Sequence, residues 1–229
     1  MGTPVIYNLQ GEKLFLLPEK ALYRPCDASI IVADIHLGKA THFSRNGLPL
    51  SPEAGREDIE RLRRICLDFR AEKLLVLGDL FHSDFNAEFN RLDRLLEVDG
   101  LQVELVAGNH DIIDRNHYLD KGITVHENSV KCGPFHFVHD PLASLPAPEG
   151  YRIGGHIHPG VRLSGKARQA IKLPCFVFRA DYAVLPAFGS LTGMHEMKFT
   201  AEEDEFYAVA AGKVLKVPSP FKTAPSSAP

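Results

Sequence analysis

The sequence predicts an α/β fold of two packed, mixed β-sheets with helices outside, and three observations carry that expectation. A continuous apolar run at 29–33 has the composition of a strand buried on both faces, and further buried strands are expected at 73–77 and 103–107. Between them, apolar residues recur at helical spacing, so the first half alternates strand and helix and implies a parallel sheet with right-handed crossovers. In the second half short strands dominate, and mixed or antiparallel pairing is expected there.

The elements follow in order. Val5–Leu9 and 13–17 flank Gln10-Gly11-Glu12, a hairpin signal. After the strand at 29–33 comes a loop rich in Gly, Asn and Pro, from Gly38 to Leu50. Ser51-Pro52 reads as an N-cap with Pro at the first helical position. Ile59, Leu62, Ile65, Cys66 and Phe69 then predict an amphipathic helix over 52–70. Beyond the strand at 73–77, Phe89, Leu92, Leu95 and Leu96 mark a second helix that ends near Gly100. The strand at 103–107 completes the alternating half. Further strands are expected at 123–126, 135–139, 151–154, 160–163, 171–178, 183–186 and 205–210. With no internal repeat and no linker, residues 1–217 are expected to form one domain, and 218–229, rich in Pro, Ser and Ala, a disordered tail.

Composition narrows the class of function. The 229 residues, 45% hydrophobic and 24% charged, are typical of a soluble globular protein. A chain of this length buries about 70% of its unfolded surface and needs no disulfide or metal staple. A net charge of -3 excludes attraction to nucleic acid by bulk charge, though not a local basic groove. No apolar run approaches the ~18 residues of a membrane span. Residues 1–10 lack a basic start, an apolar stretch and a cleavage site, so a cytoplasmic location is expected. Cys26, Cys66, Cys132 and Cys175 form no C-x-x-C pair and read as reduced thiols rather than a zinc ribbon.

The chemistry stands just beyond the predicted strands. Asp34-Ile35-His36, Gly78-Asp79, Gly108-Asn109-His110-Asp111, His139-Asp140 and Gly154-Gly155-His156-Ile157-His158 each follow an apolar run. In open α/β sheets ligands bind at the carboxyl ends of parallel strands, so these clusters are expected to converge. D-x-H or H-x-H alone is nearly worthless, since chance supplies about 0.7 and 0.5 of them. G-N-H-D is expected only about 0.002 times in a shuffled chain, and the ordered series is highly specific.

That series, D-x-H, G-D, G-N-H-[DE], H and G-H-x-H, resembles the signature of the calcineurin-like metallophosphoesterases, over roughly residues 28–160. The runs 33–40, 77–83, 173–176 and 185–189, with Leu191-Thr192-Gly193, look like the bacterial branch called the ligase-associated DNA damage response endonuclease. The resemblance implies a four-layer sandwich, an α/β fold of two mixed sheets flanked by helices, with a two-metal site. It implies Asp79 as the bridging carboxylate, Asp34, His36 and His158 on the first metal, and Asn109, His139 and His156 on the second. It implies two divalent cations, and mixed imidazole and carboxylate ligands suit Mn²⁺ first, with Fe or Zn²⁺ as alternatives, better than Mg²⁺ or Ca²⁺. Hydroxide formed between the cations would attack phosphorus, and His110, not a ligand, would protonate the leaving oxygen as general acid. The implied substrate is DNA, and the implied partners are DNA-repair proteins such as a helicase or a ligase. Phosphodiesterase or phosphatase action on nucleotides or other small phosphates is the enzymatic alternative, and a non-catalytic scaffold the alternative from another class.

Several residues carry two readings. Alternation puts His136 on the face opposite His139, which favours His139 as ligand. On a strand, His156 and His158 would share a face. Asp111 and Asp140 are turn caps or orienters. His42 and His82 are loop or outer-shell histidines, and His117, His126 and His195 are structural. Arg61, Arg63 and Arg64 read as a solvated helix face. Arg162, Lys166, Arg168 and Lys172, with Lys39 and Arg45 on the other side, are candidates for a cationic rim that contacts substrate phosphates.

Overall fold

Gln10 and Gly11 both take left-handed backbone, at φ 50° and 81°. This is the type I′ turn that matches strand twist, and it closes the predicted hairpin between β1 (Val5–Leu9) and β2 (Glu12–Leu16). The computed structural model describes residues 2–39, 53–81, 89–143, 150–165 and 169–221. The Ser51-Pro52 cap, His42, Arg45, His82, Lys166, Arg168 and all of the tail after residue 221 lie outside the described residues.

The first sheet runs β1-β2-β3-β4-β5-β6-β7, with β3 Leu22–Arg24, β4 Ser29–Ala33, β5 Lys73–Leu77, β6 Gln102–Val106 and β7 Thr124–His126. β1 to β4 pair antiparallel and β4 to β7 parallel, so the alternating half builds the expected parallel core. The strand at 123–126 was expected among the mixed strands of the second half. Its parallel pairing with β6 places it in the first sheet instead. The crossover passes through α3 (Arg115–Asp120), a helix too short to show a 3.6-residue period.

The second sheet has the order β14-β11-β12-β13-β10-β9-β8, with β15 added to β12 and β16 to β15. Its strands are β8 Ser129–Cys132, β9 Phe135–Val138, β10 Tyr151–Gly154, β11 Pro159–Ser164, β12 Ala170–Phe178, β13 Tyr182–Val184, β14 His195–Glu196, β15 Glu205–Ala210 and β16 Lys213–Val217. Parallel pairs (β9 with β10, β10 with β13) and antiparallel pairs (β11 with β12, β12 with β15) mix as expected.

The sheets pack face to face. Leu16, Ile31, Leu75, Leu77 and Val106 of the first meet Phe137, Ile153, Phe176, Phe178 and Leu185 of the second or its edge. On the other face of the first sheet, Ile30, Val32, Leu74, Val76 and Leu105 receive Ile59, Leu62, Ile65 and Cys66 of α1 (Glu53–Asp68) and Leu95 of the one-turn α2 (Asp93–Leu96). Each fully buried aliphatic contributes about 1.5–3 kcal/mol, so this apolar stripe holds the helix to the sheet. Among the described residues no helix covers the outer face of the second sheet. The segment 197–204 fills that layer, with Phe199 stacked on Phe206 at 4.1 Å between centroids.

Main-chain bonds join the sheets at the carboxyl ends of β4 and β10. Phe188 N donates to Ala33 O at 2.8 Å and Gly189 N to Asp34 O at 3.1 Å, while Leu185 N, at the start of the same segment, donates to Gly154 O of β10 in the second sheet at 2.8 Å. The joint fixes the relative position of the two sets of strand ends. No described helix is long and apolar enough to cross a membrane.

Candidate metal centre

All five strand-end clusters meet here. Asp34 and His36 follow β4, Asp79 follows β5, Asn109 and His110 follow β6, His139 follows β9, and His156 and His158 follow β10. Asp34, His36, Asp79 and His139 are buried, His110 and His158 half-buried, Asn109 and His156 exposed. Ten described non-glycine residues have positive φ, and five of them are Asp34, His36, Asp79, His156 and His158. Such backbone costs of order 1–3 kcal/mol per residue and gathers where side chains must be aimed at a site.

The side chains form two groups able to hold a metal ion: Asp34, His36 and His158, and Asp79, His139 and His156. In the first, His36 Nε2 lies 3.2 Å from His158 Nε2, which is 3.6 Å from Asp34 Oδ1. In the second, His139 Nε2 lies 3.0 Å from both His156 Nδ1 and Asn109 Oδ1, which brings Asn109 into the set. Asp79 stands between the groups. Its Oδ2 is 3.6 Å from His36 Nε2 and its Oδ1 is 3.6 Å from His139 Nε2.

The donor set fits cations. His139 Nδ1 is 3.0 Å from Leu77 O. A carbonyl only accepts, so Nδ1 carries the proton and Nε2 presents a lone pair. That lone pair faces the oxygens of Asn109 and Asp79, a concentration of acceptors that a divalent cation would satisfy.

Two glycines make the approach possible. A Cβ on Gly78, which sits at φ 77°, would fall 2.0 Å from His139 Nδ1. One on Gly155 would fall 2.4 Å from Asp34 Oδ2, the oxygen that accepts from His156 N at 2.9 Å.

His156 and His158 do not share a strand face. β10 ends at Gly154, and both histidines follow in a left-handed bend, at φ 67° and 51°. The bend delivers them to different groups, His158 to the first and His156 to the second. His110 belongs to neither. Its ring stands edge-on to His36 at 5.5 Å between centroids, and its backbone N donates to Asp79 Oδ1 at 3.0 Å.

Neighbouring residues divide between support and surface. Asp111 accepts from Leu80 N (2.9 Å), Phe81 N (3.3 Å) and Gly108 N (2.9 Å), and so ties the loop after β5 to the loop after β6. Burial pushes its carboxyl up to about 6. Asp140 accepts from Leu142 N at 2.8 Å, a turn cap. His126 pairs with Glu104 at 2.8 Å, away from the site. Lys39 is half-buried, its ammonium held below the usual lysine range by burial and partly restored by Asp79. Arg162 and Lys172, both exposed, stand directly opposite each other on β11 and β12.

Arg61 departs from the solvated face expected of it. Its guanidinium lies over the Phe188 ring at 4.2 Å, donates to Phe188 O at 2.5 Å and pairs with buried Asp58 at 2.9 Å. Asp58 in turn accepts from Ser190 N (2.8 Å) and Ser190 Oγ (3.1 Å). α1 thus pins the 188–190 loop beside the first metal group. The only sequence signal for it was an Asp and an Arg three residues apart next to the apolar stripe.

A family model described as calcineurin-like phosphoesterase matches residues 29–166. Among solved structures, the chain is similar to Pseudomonas putida nuclease MPE, with 28% identity and a TM-score of 0.78 over 94% of this chain and 100% of that one. Yfce, a phosphoesterase from E. coli, aligns at 16% identity and a TM-score of 0.45, over 82% of this chain and 97% of that one. No curated protein matches the chain. The family match takes in more than half of the chain and every one of the strand-end clusters, so this protein belongs to the calcineurin-like phosphoesterase family of metal-dependent phosphoesterases.

Proposed function

We propose that this enzyme hydrolyses phosphodiester bonds in DNA at a pair of divalent cations, and that its work lies in DNA repair, alongside partners such as a helicase or a ligase. The observation that carries the two-metal reading is Asp79, whose oxygens each face one of two ligand groups. Asp34, His36 and His158 would hold one cation, Asn109, His139 and His156 the other, and Asp79 both. When bound, the cations neutralise charge on the phosphoryl oxygens and make a water nucleophilic near neutral pH. The chain's own contribution is orientation and proton transfer. The Leu77 carbonyl fixes the tautomer of His139. His156 N and His110 N hold the carboxylates of Asp34 and Asp79 in place. His110, outside both ligand groups, would give its proton to the leaving oxygen.

Mixed imidazole and carboxylate ligation favours Mn²⁺, ahead of Fe or Zn²⁺. Chelation should abolish hydrolysis of both DNA and a nitrophenyl diester, and Mn²⁺ should restore it better than Mg²⁺ or Ca²⁺. Metal content and rate are measured on the same samples. Full activity with no metal detectable would defeat the mechanism.

The likeness to a nuclease supports DNA as substrate. So does the cross-strand pair of Arg162 and Lys172, since like charges directly opposite on a sheet are destabilising unless an anion lies between them. Arg162, Lys172 and Lys39, with Lys166, Arg168 and Arg45 from outside the described residues, would form the cationic rim that a chain of net charge -3 needs. Replacing Arg162 and Lys172 by Gln should raise the KM for DNA and flatten its salt dependence, by about 0.9 in log–log slope per lost duplex contact or about 0.7 on single strands. A nitrophenyl diester should be cleaved as before. An unchanged slope removes this rim. A parent enzyme that ignores DNA but hydrolyses nucleotides moves the reading to small phosphate esters.

A further inference from the structure

We propose that the pocket lined by His158 and Lys20 is a substrate subsite that takes the nucleotide unit next to the scissile phosphate, the Lys20 ammonium binding that unit's phosphate. The inference rests on the nucleic-acid reading above and assigns a role to residues outside the metal-ligand set.

The pocket has a volume of about 200 Å³, and His158 is part of its wall, so whatever fills it abuts the first metal group. Pockets that enclose a whole ligand run to about 300–1,000 Å³, so this one holds a part of a larger molecule. Pro174 and Met194 give it apolar wall suited to a sugar or base, and Ser190 and Thr192 give it hydroxyls.

Lys20 supplies the charge. It sits in the tight turn between β2 and β3 at φ 67°, a conformation that few lysines adopt. Among the described residues its ammonium has one hydrogen-bond partner, the Gly189 carbonyl oxygen at 3.1 Å, and no carboxylate at ion-pair distance. An ammonium has three donors, so two are left for a ligand. The nearby carboxylate of Asp58 is already engaged by Arg61 and by Ser190. Asp58 therefore offsets the Lys20 charge only in part. Burial, and after it the charge of Arg61, pulls the Lys20 ammonium down to about 8. A phosphate there would relieve both effects. The Gly189 N bond to Asp34 O ties this loop to the metal centre, so the ammonium is held at a fixed distance from the reacting phosphate.

The test uses the full chain loaded with metal, a DNA oligonucleotide and bis(nitrophenyl) phosphate, which has no second phosphate for Lys20 to bind. Lys20→Met should raise the KM for the oligonucleotide by about 10- to 100-fold, the loss of one charge-assisted hydrogen bond, with kcat within about twofold. The nitrophenyl diester should be hydrolysed as by the parent, and Lys20→Arg should recover most of the KM. Met194→Trp, which fills the pocket and keeps the Lys20 charge, should give the same KM pattern. Parallel losses on both substrates in Lys20→Met would make Lys20 a brace for the Gly189 loop and overturn the subsite. An unchanged oligonucleotide KM would also overturn it, while leaving the nuclease reading intact. A parent that cleaves the nitrophenyl diester but no oligonucleotide defeats the nuclease reading itself, and the nucleotide subsite with it.

Discussion

Asp79→Ala is expected to empty both cation sites together and to lower kcat/KM on a nitrophenyl diester by about 10³-fold or more, the loss of several kcal/mol of charge stabilisation. The expectation follows from position. Asp79 is 2% exposed, and each of its oxygens is 3.6 Å from an imidazole nitrogen of a different group. The same carboxylate accepts from His110 N at 3.0 Å, so its removal also releases the loop that carries the proposed acid. His156→Ala is the comparison. His156 is exposed and belongs to the second group alone, so that variant should keep one cation and lose less activity. Asp79→Asn keeps the shape and removes the charge, and it separates the hydrogen bond to His110 from the attraction to the metals. Metal content per chain, measured beside the rate, decides the matter. Retention of two metals by Asp79→Ala, or a loss no greater than that of His156→Ala, would end the bridging assignment.

The convergence of the candidate ligands was legible because they stand in sequence directly after apolar runs of strand length, and their division into two groups came with the family resemblance. Once β4, β5 and β6 are parallel neighbours, Asp34, Asp79 and Asn109 must emerge at one edge. What period and pattern could not show is backbone handedness. The alternation argument treated 156–158 as strand, whereas left-handed φ at both histidines sends them to separate groups. Nor could it show neighbours made by the sandwich. Lys20, Asp58 and Ser190 lie far apart in the chain and meet only because the 188–190 loop crosses from one sheet to the other. Arg61 looked solvated because its own helix face is polar, yet Phe188, from the other end of the chain, covers it. The missed elements β3, β8, β14, β16 and α3 run to six residues at most, too few to establish a period. Asp111 read in sequence more as a turn cap than as an orienter of His110, and the three amides it accepts from make it a brace between the two loops that carry Asp79 and Asn109.

That brace bears on the last expectation. His110→Ala should retain both metals and yet lose about 10²–10⁴ in rate on DNA, whose leaving alkoxide needs a proton. The side chain belongs to neither ligand group, and its ring stands 5.5 Å from that of His36, close enough to reach a phosphate held at the metals. The substitution leaves the His110 backbone N free to donate to Asp79 as before, and Asp111 still holds Gly108 to the loop after β5. The ligands therefore stay in place while the proton donor is removed. Nitrophenolate leaves without protonation, so the loss on a nitrophenyl diester should be smaller by an order of magnitude or more, about 1.4 kcal/mol of barrier for each factor of ten. The ratio of the two losses is the measurement, with metal content as the control. Equal losses on both esters, or loss of a metal in His110→Ala, would make His110 a support of the metal centre, and the proton donor would have to be sought elsewhere on its rim.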